Sequence, residues 1–341
     1  MMGLDLSLIW VGIIAFGLMM YVVMDGFDLG IGILFPFVPD AGDRDLMVNT
    51  VAPVWDGNET WLVLGGAGLM AAFPLAYSVL LSALYIPIVL MLMGLILRGV
   101  AFEFRFKADV THRPLWDIAF AGGSYAAAFF QGAALGAFID GFVVTGPSYD
   151  GGALDWLTPF SVFTGVGVIV CYALLGSTWL IMKTEGTLQG KMIAYARRIV
   201  PALLAGIGIV SLWTPWAHAD IATRWFSMPN ILYFAPVPIL VLATCWQLLR
   251  LLTGGSQGKV PGALPFLLAL FLLFLGYSGL AISVWPHIIP PGVAFRDAAA
   301  PVQSQAFALV GAVLIIPVIL AYTGWAYYVF RGKVTGSEGY H

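Results

Sequence analysis

Apolar stretches of about 20 residues recur along this chain, the length a helix needs to cross roughly 30 Å of hydrocarbon. In lipid every backbone polar group must be satisfied internally, so such stretches fold as helices. Nine spans are read, at Leu6–Phe37, Trp55–Phe73, Tyr77–Leu97, Leu115–Ile139, Pro159–Met182, Ile199–Ala217, Ile231–Leu252, Gly262–Trp285 and Gln303–Phe330. No charge separates the second from the third at Phe73-Pro74-Leu75-Ala76-Tyr77. Read as one helix, Trp55 to Arg98 would be roughly 66 Å long at about 1.5 Å per residue, so a tight Pro-containing hairpin is expected at this join.

Charge explains why the chain needs lipid. Only 10% of its 341 residues are charged and 60% are hydrophobic, against about 25% charged in ordinary soluble domains. A mean hydropathy of +0.93 leaves too little polar surface for a soluble enzyme or a disordered chain. A net charge of −3 offers no basic face to nucleic acid. Cys171 and Cys245 sit inside apolar runs and form neither a disulfide framework nor a zinc spacing. The segment Met1 to Trp10 lacks the Lys/Arg of a signal-peptide n-region, and the run it opens is too long for one, so it is expected to stay as a membrane anchor.

Lys/Arg bias orients the spans. With the N-terminus outside and the C-terminus cytoplasmic, thirteen of the 15 Lys/Arg fall inside and only Arg224 and Arg296 outside. An eight-span alternative with the N-terminus inside would move Arg44 alone. The outer connection between spans four and five is acidic, with Asp140, Asp150 and Asp155. Lys183–Arg198, the longest polar stretch, reads as a short cytoplasmic connection. There is no internal repeat or soluble segment, so residues 1–341 read as a single integral-membrane domain.

The informative residues are ionisable groups in the first three spans, each costing about 2.5–3.5 kcal/mol at the centre of a bilayer on insertion scales. Asp25 and Asp28 are three apart and share a helix face. Asp25 lies roughly 28 Å along an axis of about 48 Å, in the cytoplasmic half. Asp56 and Glu59 repeat the spacing at the cytoplasmic start of span two, within Trp55-Asp56-Gly57-Asn58-Glu59. Arg98 closes span three on the same side, followed by Glu103 and Arg105. Carboxylates gathered around an arginine at one membrane face can pass protons between water and a buried site. The plainer alternative is structural: Asp56 caps span two, Trp55 and Trp61 belong to an interfacial belt, and the acids form buried ion pairs. Gly26, Gly30 and Gly32 admit a close neighbour, either a helix or a cofactor, and Gly65-Gly66-Ala67-Gly68 offers a face to a partner helix.

Haem ligation would need histidines at matching depth. His112, His218, His287 and His341 all lie in loops or at helix ends, so no haem is expected on this chain. Walker, dinucleotide and nucleophile-elbow motifs are absent from the sequence. A proton-coupled secondary transporter is the competing class, but transporters pair broken helices in both halves, and here the charged glycine-rich signatures occupy only the first. A scaffold whose acids never titrate is the third reading.

Asp25-Gly26-Phe27-Asp28-Leu29-Gly30 with Trp55-Asp56-Gly57-Asn58-Glu59 resembles subunit II of the bacterial cytochrome bd-type quinol oxidases. The similarity continues through Phe73-Pro74, Tyr77, Leu97-Arg98 and Phe102-Glu103-Phe104-Arg105 to Trp285-Pro286, Ser304-Gln305 and Tyr322-Thr323-Gly324-Trp325. Compact loops between spans four and five and between six and seven look like the shorter, cyanide-insensitive branch. The resemblance implies an all-α fold of two four-helix bundles plus one peripheral helix in the bacterial inner membrane. It implies a haem-bearing partner, subunit I, holding two b-type haems and one d-type (or b-type) haem together with the quinol site. It also implies lipid contacts and, in some members, a small single-span accessory subunit and a structural quinone in a lipid-facing groove. Quinol oxidation outside and oxygen reduction with cytoplasmic protons would then generate proton-motive force. Carried over by motif, Asp25 and Asp56 are the proton-entry acids, with Asp28 and Glu59 further along the path. Arg98, Trp55, Asn58 and Glu103 are expected to support ion pairing or assembly.

Overall fold

The structure is a computed structural model that describes residues 5–255 and 262–334; Lys259 and His341 lie outside the described residues. Among the described residues eight helices are long and apolar enough to cross a membrane. Helix α1 (Leu6–Leu34) ends in a 3-10 turn at Phe35–Phe37, and α2 (Ala41–Asn49) lies across the cytoplasmic end. Helix α3 (Trp55–Ala72), which takes the place of the second span in the sequence reading, is not among those eight. It runs antiparallel along α1, Asn58 meeting Asp28 at one end and Gly68 facing Ile14 and Trp10 at the other. At about 1.5 Å per residue the 18 residues of α3 span roughly 27 Å, so it runs beside much of the 29-residue α1.

The expected hairpin after α3 is instead a helix of its own, α4 (Pro74–Ala83), lying at the outer end against the loops. The third crossing is α5 (Tyr85–Arg105), so it starts at Tyr85 rather than Tyr77 and continues two turns beyond Arg98. Two prolines account for the difference. Pro74 and Pro87 each occupy a first turn, where the missing N–H is not required, and Leu84 breaks the helix between them with ψ 13°. Next come α6 (Arg113–Asp140), a small hairpin β1 (Val144–Thr145) and β2 (Ser148–Tyr149), and α7 (Pro159–Lys183). That hairpin is pinned by Tyr149, which donates to Asp155 at 3.0 Å; burial, then this carboxylate, push the Tyr149 hydroxyl up to about 12.

The polar stretch expected to be a connection is helical, because α8 (Gly186–Ala217) begins at Gly186 and not near Ile199. Gly186 takes φ 66°, a conformation that lets the chain reverse within two residues of Lys183. Gln189 then donates to the carbonyls of Ile181 and Thr184 at 2.8 and 2.9 Å. Beyond it lie α9 (Ala219–Phe226), α10 (Asn230–Phe234), α11 (Pro236–Gly255) and α12 (Leu264–Val284). A second hairpin, β3 (His287–Ile289) and β4 (Val293–Ala294), leads to α13 (Val302–Val329).

Packing divides these helices into one bundle of α1, α3, α5 and α6 and a second of α7, α8, α11 and α12, joined where α6 and α1 both pack on α7. Helix α13 is peripheral, with only Gln305 and Ala312 of its 28 residues buried. It is held at its ends. Trp10 donates to the Gln305 carbonyl at 3.1 Å outside, and Lys183 donates to the Phe330 carbonyl inside. At the outer mouth Arg296 hydrogen-bonds Asp5 and holds that carboxyl below its usual range.

The basic residues settle the orientation. Arg44 pairs with Asp117 at 2.9 Å and so shares the end that carries Arg105, Arg113 and Lys191. Positive bias makes this end cytoplasmic. Arg224 and Arg296 lie at the other.

The glycines of α1 admit helices. Gly30 and Gly176 bring α1 and α7 into backbone contact, and a Cβ on either would overlap the other helix's main chain. We predict that Gly176→Ala lowers stability by about 1–3 kcal/mol, the usual range for overpacking a core. A drop in the thermal unfolding midpoint in detergent would register it; an unchanged midpoint would refute the contact.

Candidate functional site

Arg98 sits inside the first bundle with no exposed surface. Its Nη1 lies 2.8 Å from Asp25 Oδ1, and its Nη2 contacts Glu59 Oε1. The planar fork of a guanidinium suits two carboxylates arriving from different helices. Helix α1 supplies Asp25, 1% exposed, and one turn later Asp28, 0% exposed. The three-residue spacing read from the sequence does place both on one face.

Asp28 is held by a different partner. Asn58 Nδ2 donates to Asp28 Oδ2 at 2.8 Å and to the Met24 carbonyl at 3.2 Å. Tyr327, from the peripheral α13, donates to Asn58 Oδ1 at 2.9 Å. That bond orients the amide so that its NH₂ faces the acid. Asp28 Oδ1 and the buried Trp61 Nε1 have no hydrogen-bond partner among the described residues. Around the cluster, Tyr21 is buried, and Tyr172 donates to Gln131 at 2.9 Å.

The sequence-derived residues therefore separate into three groups. Asp25, Asp28, Asn58, Glu59 and Arg98 converge. Asp56 lies one turn before Glu59 and is exposed at the cytoplasmic start of α3. It does not cap that helix, whose N-cap is Val54 without a side-chain bond. Trp55 stacks on Phe102 at 5.0 Å with its ring 6.0 Å from the Arg98 guanidinium, walling the cluster. Trp61 is 1% exposed and so is not an interfacial-belt residue. Glu103 does not join; its nearest cation is Lys107 at 3.7 Å on the open surface.

Two features escape a reading by sequence spacing. One is Tyr327, 269 residues from Asn58. The other is a second ionic cluster, in which Arg105 meets Asp117 at 2.6 Å and Asp45 at 2.7 Å while Arg113 also contacts Asp45. It fastens α2 across the inner ends of α5 and α6, two turns below Arg98 on the same helix. The only sequence signal was the density of Asp and Arg between Asp40 and Asp45 and around Arg105.

No set of three or more His, Cys, Asp or Glu among the described residues could hold a metal. His112 pairs with Asp109 on the surface, while His218 and His287 line an outer cleft beside Asp140. These positions lie outside both bundles and do not fit an axial haem pair within one.

Residues 6–330 match the family described as cytochrome bd terminal oxidase subunit II. The chain is 28% identical to a probable cytochrome oxidase subunit 2 of Haemophilus influenzae, covering 96% of this chain and 95% of that one. It is also 28% identical to cytochrome bd-I ubiquinol oxidase subunit 2 of Escherichia coli K12, over 98% and 96% of the two chains. Its fold resembles that of a chain in the structure of the bd oxidase from Geobacillus thermodenitrificans, with TM-score 0.76 and 11% identity, covering 97% of this chain and 99% of that one.

Proposed function

The chain belongs to the family of cytochrome bd terminal oxidase subunit II, and from that premise we propose that it is the haem-free subunit of a bd-type quinol oxidase in the bacterial inner membrane. It pairs with a haem-bearing subunit I and supplies protons from the cytoplasm to the oxygen-reducing site there. The haems, two b-type and one d-type or a b-type in its place, reside on that partner and provide the electron chemistry. Quinol and lipid contact the assembled complex, which has room in its family pattern for the small single-span accessory subunit that some members carry.

The observation that carries the proton role is the gathering of three carboxylates at the cytoplasmic end around one buried arginine, Asp25 and Glu59 paired with Arg98 and Asp28 one turn away on Asn58. Full ionisation would leave net negative charge in a low-dielectric interior, which is expensive. Charge balance is reached when the cluster carries protons, and a group of acids sharing protons over short distances can pass them on. Asp56 collects a proton from cytoplasmic water, Glu59 at 28% exposure bridges the surface and the interior, and Asp25 or Asp28 receives it. Arg98 keeps the carboxylates aligned without itself releasing a proton, since a guanidinium stays charged.

Purification through a tag on this chain tests the assignment. A dithionite-reduced minus air-oxidised spectrum is expected to show haem bands travelling with a second, larger subunit. A colourless protein recovered alone from mild detergent would refute it and point to a proton-coupled transporter.

A further inference from the structure

Beside the cluster lies a feature that the path through Asp56 does not use. Where the start of α3 meets the last turns of α13, a cleft of about 20 Å³ is lined by Pro53, Gly57, Asn58, Thr323 and Tyr327. That is room for about one water molecule, with polar groups to hold it. Asn58 forms its inner wall and, on its far side, touches Asp28. A single side chain therefore separates the cleft from a buried carboxylate that still has one oxygen without a partner among the described residues. The hydrogen bond from Tyr327 keeps that side chain in place. Tyr327 belongs to the least embedded of the membrane-length helices, so the wall can part by a small movement of α13 without disturbing either bundle.

We infer that the seam between α3 and α13 is a second entrance for water to the acid cluster, closed by the hydrogen bond from Tyr327 to Asn58. The inference rests on the proton-supplying role proposed above. When the bond opens, water enters from the cytoplasmic end and reaches Asp28 Oδ1. A hydronium there gives its proton to the carboxylate and remains as water. The Asn58 amide carries no proton; it only swings aside. Two routes thus converge on the cluster, one through Asp56 and Glu59, the other directly to Asp28.

Parallel routes have a signature that a merely structural role lacks. The test uses quinol-driven oxygen consumption by the purified two-subunit complex, with each variant normalised to haem content. Gly57→Leu fills the cleft, since a side chain at Gly57 meets open space, and Ala326→Leu narrows it from the facing helix. Each, combined with Asp56→Asn, is expected to slow turnover about tenfold beyond the product of the single effects, as coupled sites do. Tyr327→Phe, which keeps the ring and removes the latch, is expected to raise the turnover of Asp56→Asn. Multiplicative effects in the doubles, or no gain from Tyr327→Phe in the Asp56→Asn background, would overturn the second entrance. Asp25→Asn run alongside separates the two claims: a wild-type rate there removes the proton path itself, while a slowed rate with multiplicative doubles removes only the seam.

Discussion

Replacing Asp25 by Asn is expected to cut quinol-driven oxygen reduction by the intact complex about a hundredfold, at the lower end of what one positioned acid–base group contributes. The substitution is nearly isosteric, so Arg98 keeps a hydrogen-bonding neighbour and its contact with Glu59. What disappears is a group able to accept and release a proton at the point where the buried acids meet. Asp56→Asn is expected to cost less, because Asp56 is exposed at the mouth and the seam between α3 and α13 still serves Asp28 directly. Haem content should be unchanged in both variants, since neither position touches a candidate haem ligand. Oxygen-electrode rates beside reduced-minus-oxidised spectra read both quantities from one preparation. If both variants turned over at the wild-type rate, the acids would be structural and the proton path would be abandoned.

The reason Asp25 and Asp28 could be picked out of the sequence is local. A carboxylate inside an apolar run is anomalous wherever the run lies, and a spacing of three fixes a shared helix face. The Arg98 contact was legible for a related reason, as the one cation near the inner end of a neighbouring span. Glu103 looked equivalent by the same reasoning, yet five residues along the helix turn it to the opposite side, where Lys107 meets it. Other features depended on tertiary approach. Tyr327 reaches Asn58 only because α13 returns along α1 and α3, and Arg105 reaches Asp45 only because α2 folds back across the bundle. The misplaced third span has a local cause that hydropathy does not register: Leu84 carries no polarity, and Pro87 marks a helix start by its missing N–H instead of by charge.

Arg98→Met is expected to have a larger effect than either acid substitution, and on assembly more than on rate. Removing one partner of a buried ion pair costs about 3–5 kcal/mol, because the remaining charge is left without compensation. Here Met would leave Asp25 and Glu59 without their cation, and Asp28 beside them. Against a total stability of about 5–15 kcal/mol for a typical fold, this should lower the yield of haem-bearing complex sharply. Arg98→Lys should recover only part of it, since one ammonium cannot present two parallel donors to Asp25 and Glu59 at once. Adding Asp25→Asn to Arg98→Met should restore more assembly than Lys does, by removing a buried charge outright, although such a complex would still lack the proton relay. Size-exclusion profiles with haem spectra across the wild type and these three variants measure the order directly. Wild-type assembly of Arg98→Met would mean that the three acids are neutral without a cation, and that Arg98 neither organises the cluster nor holds the bundle together.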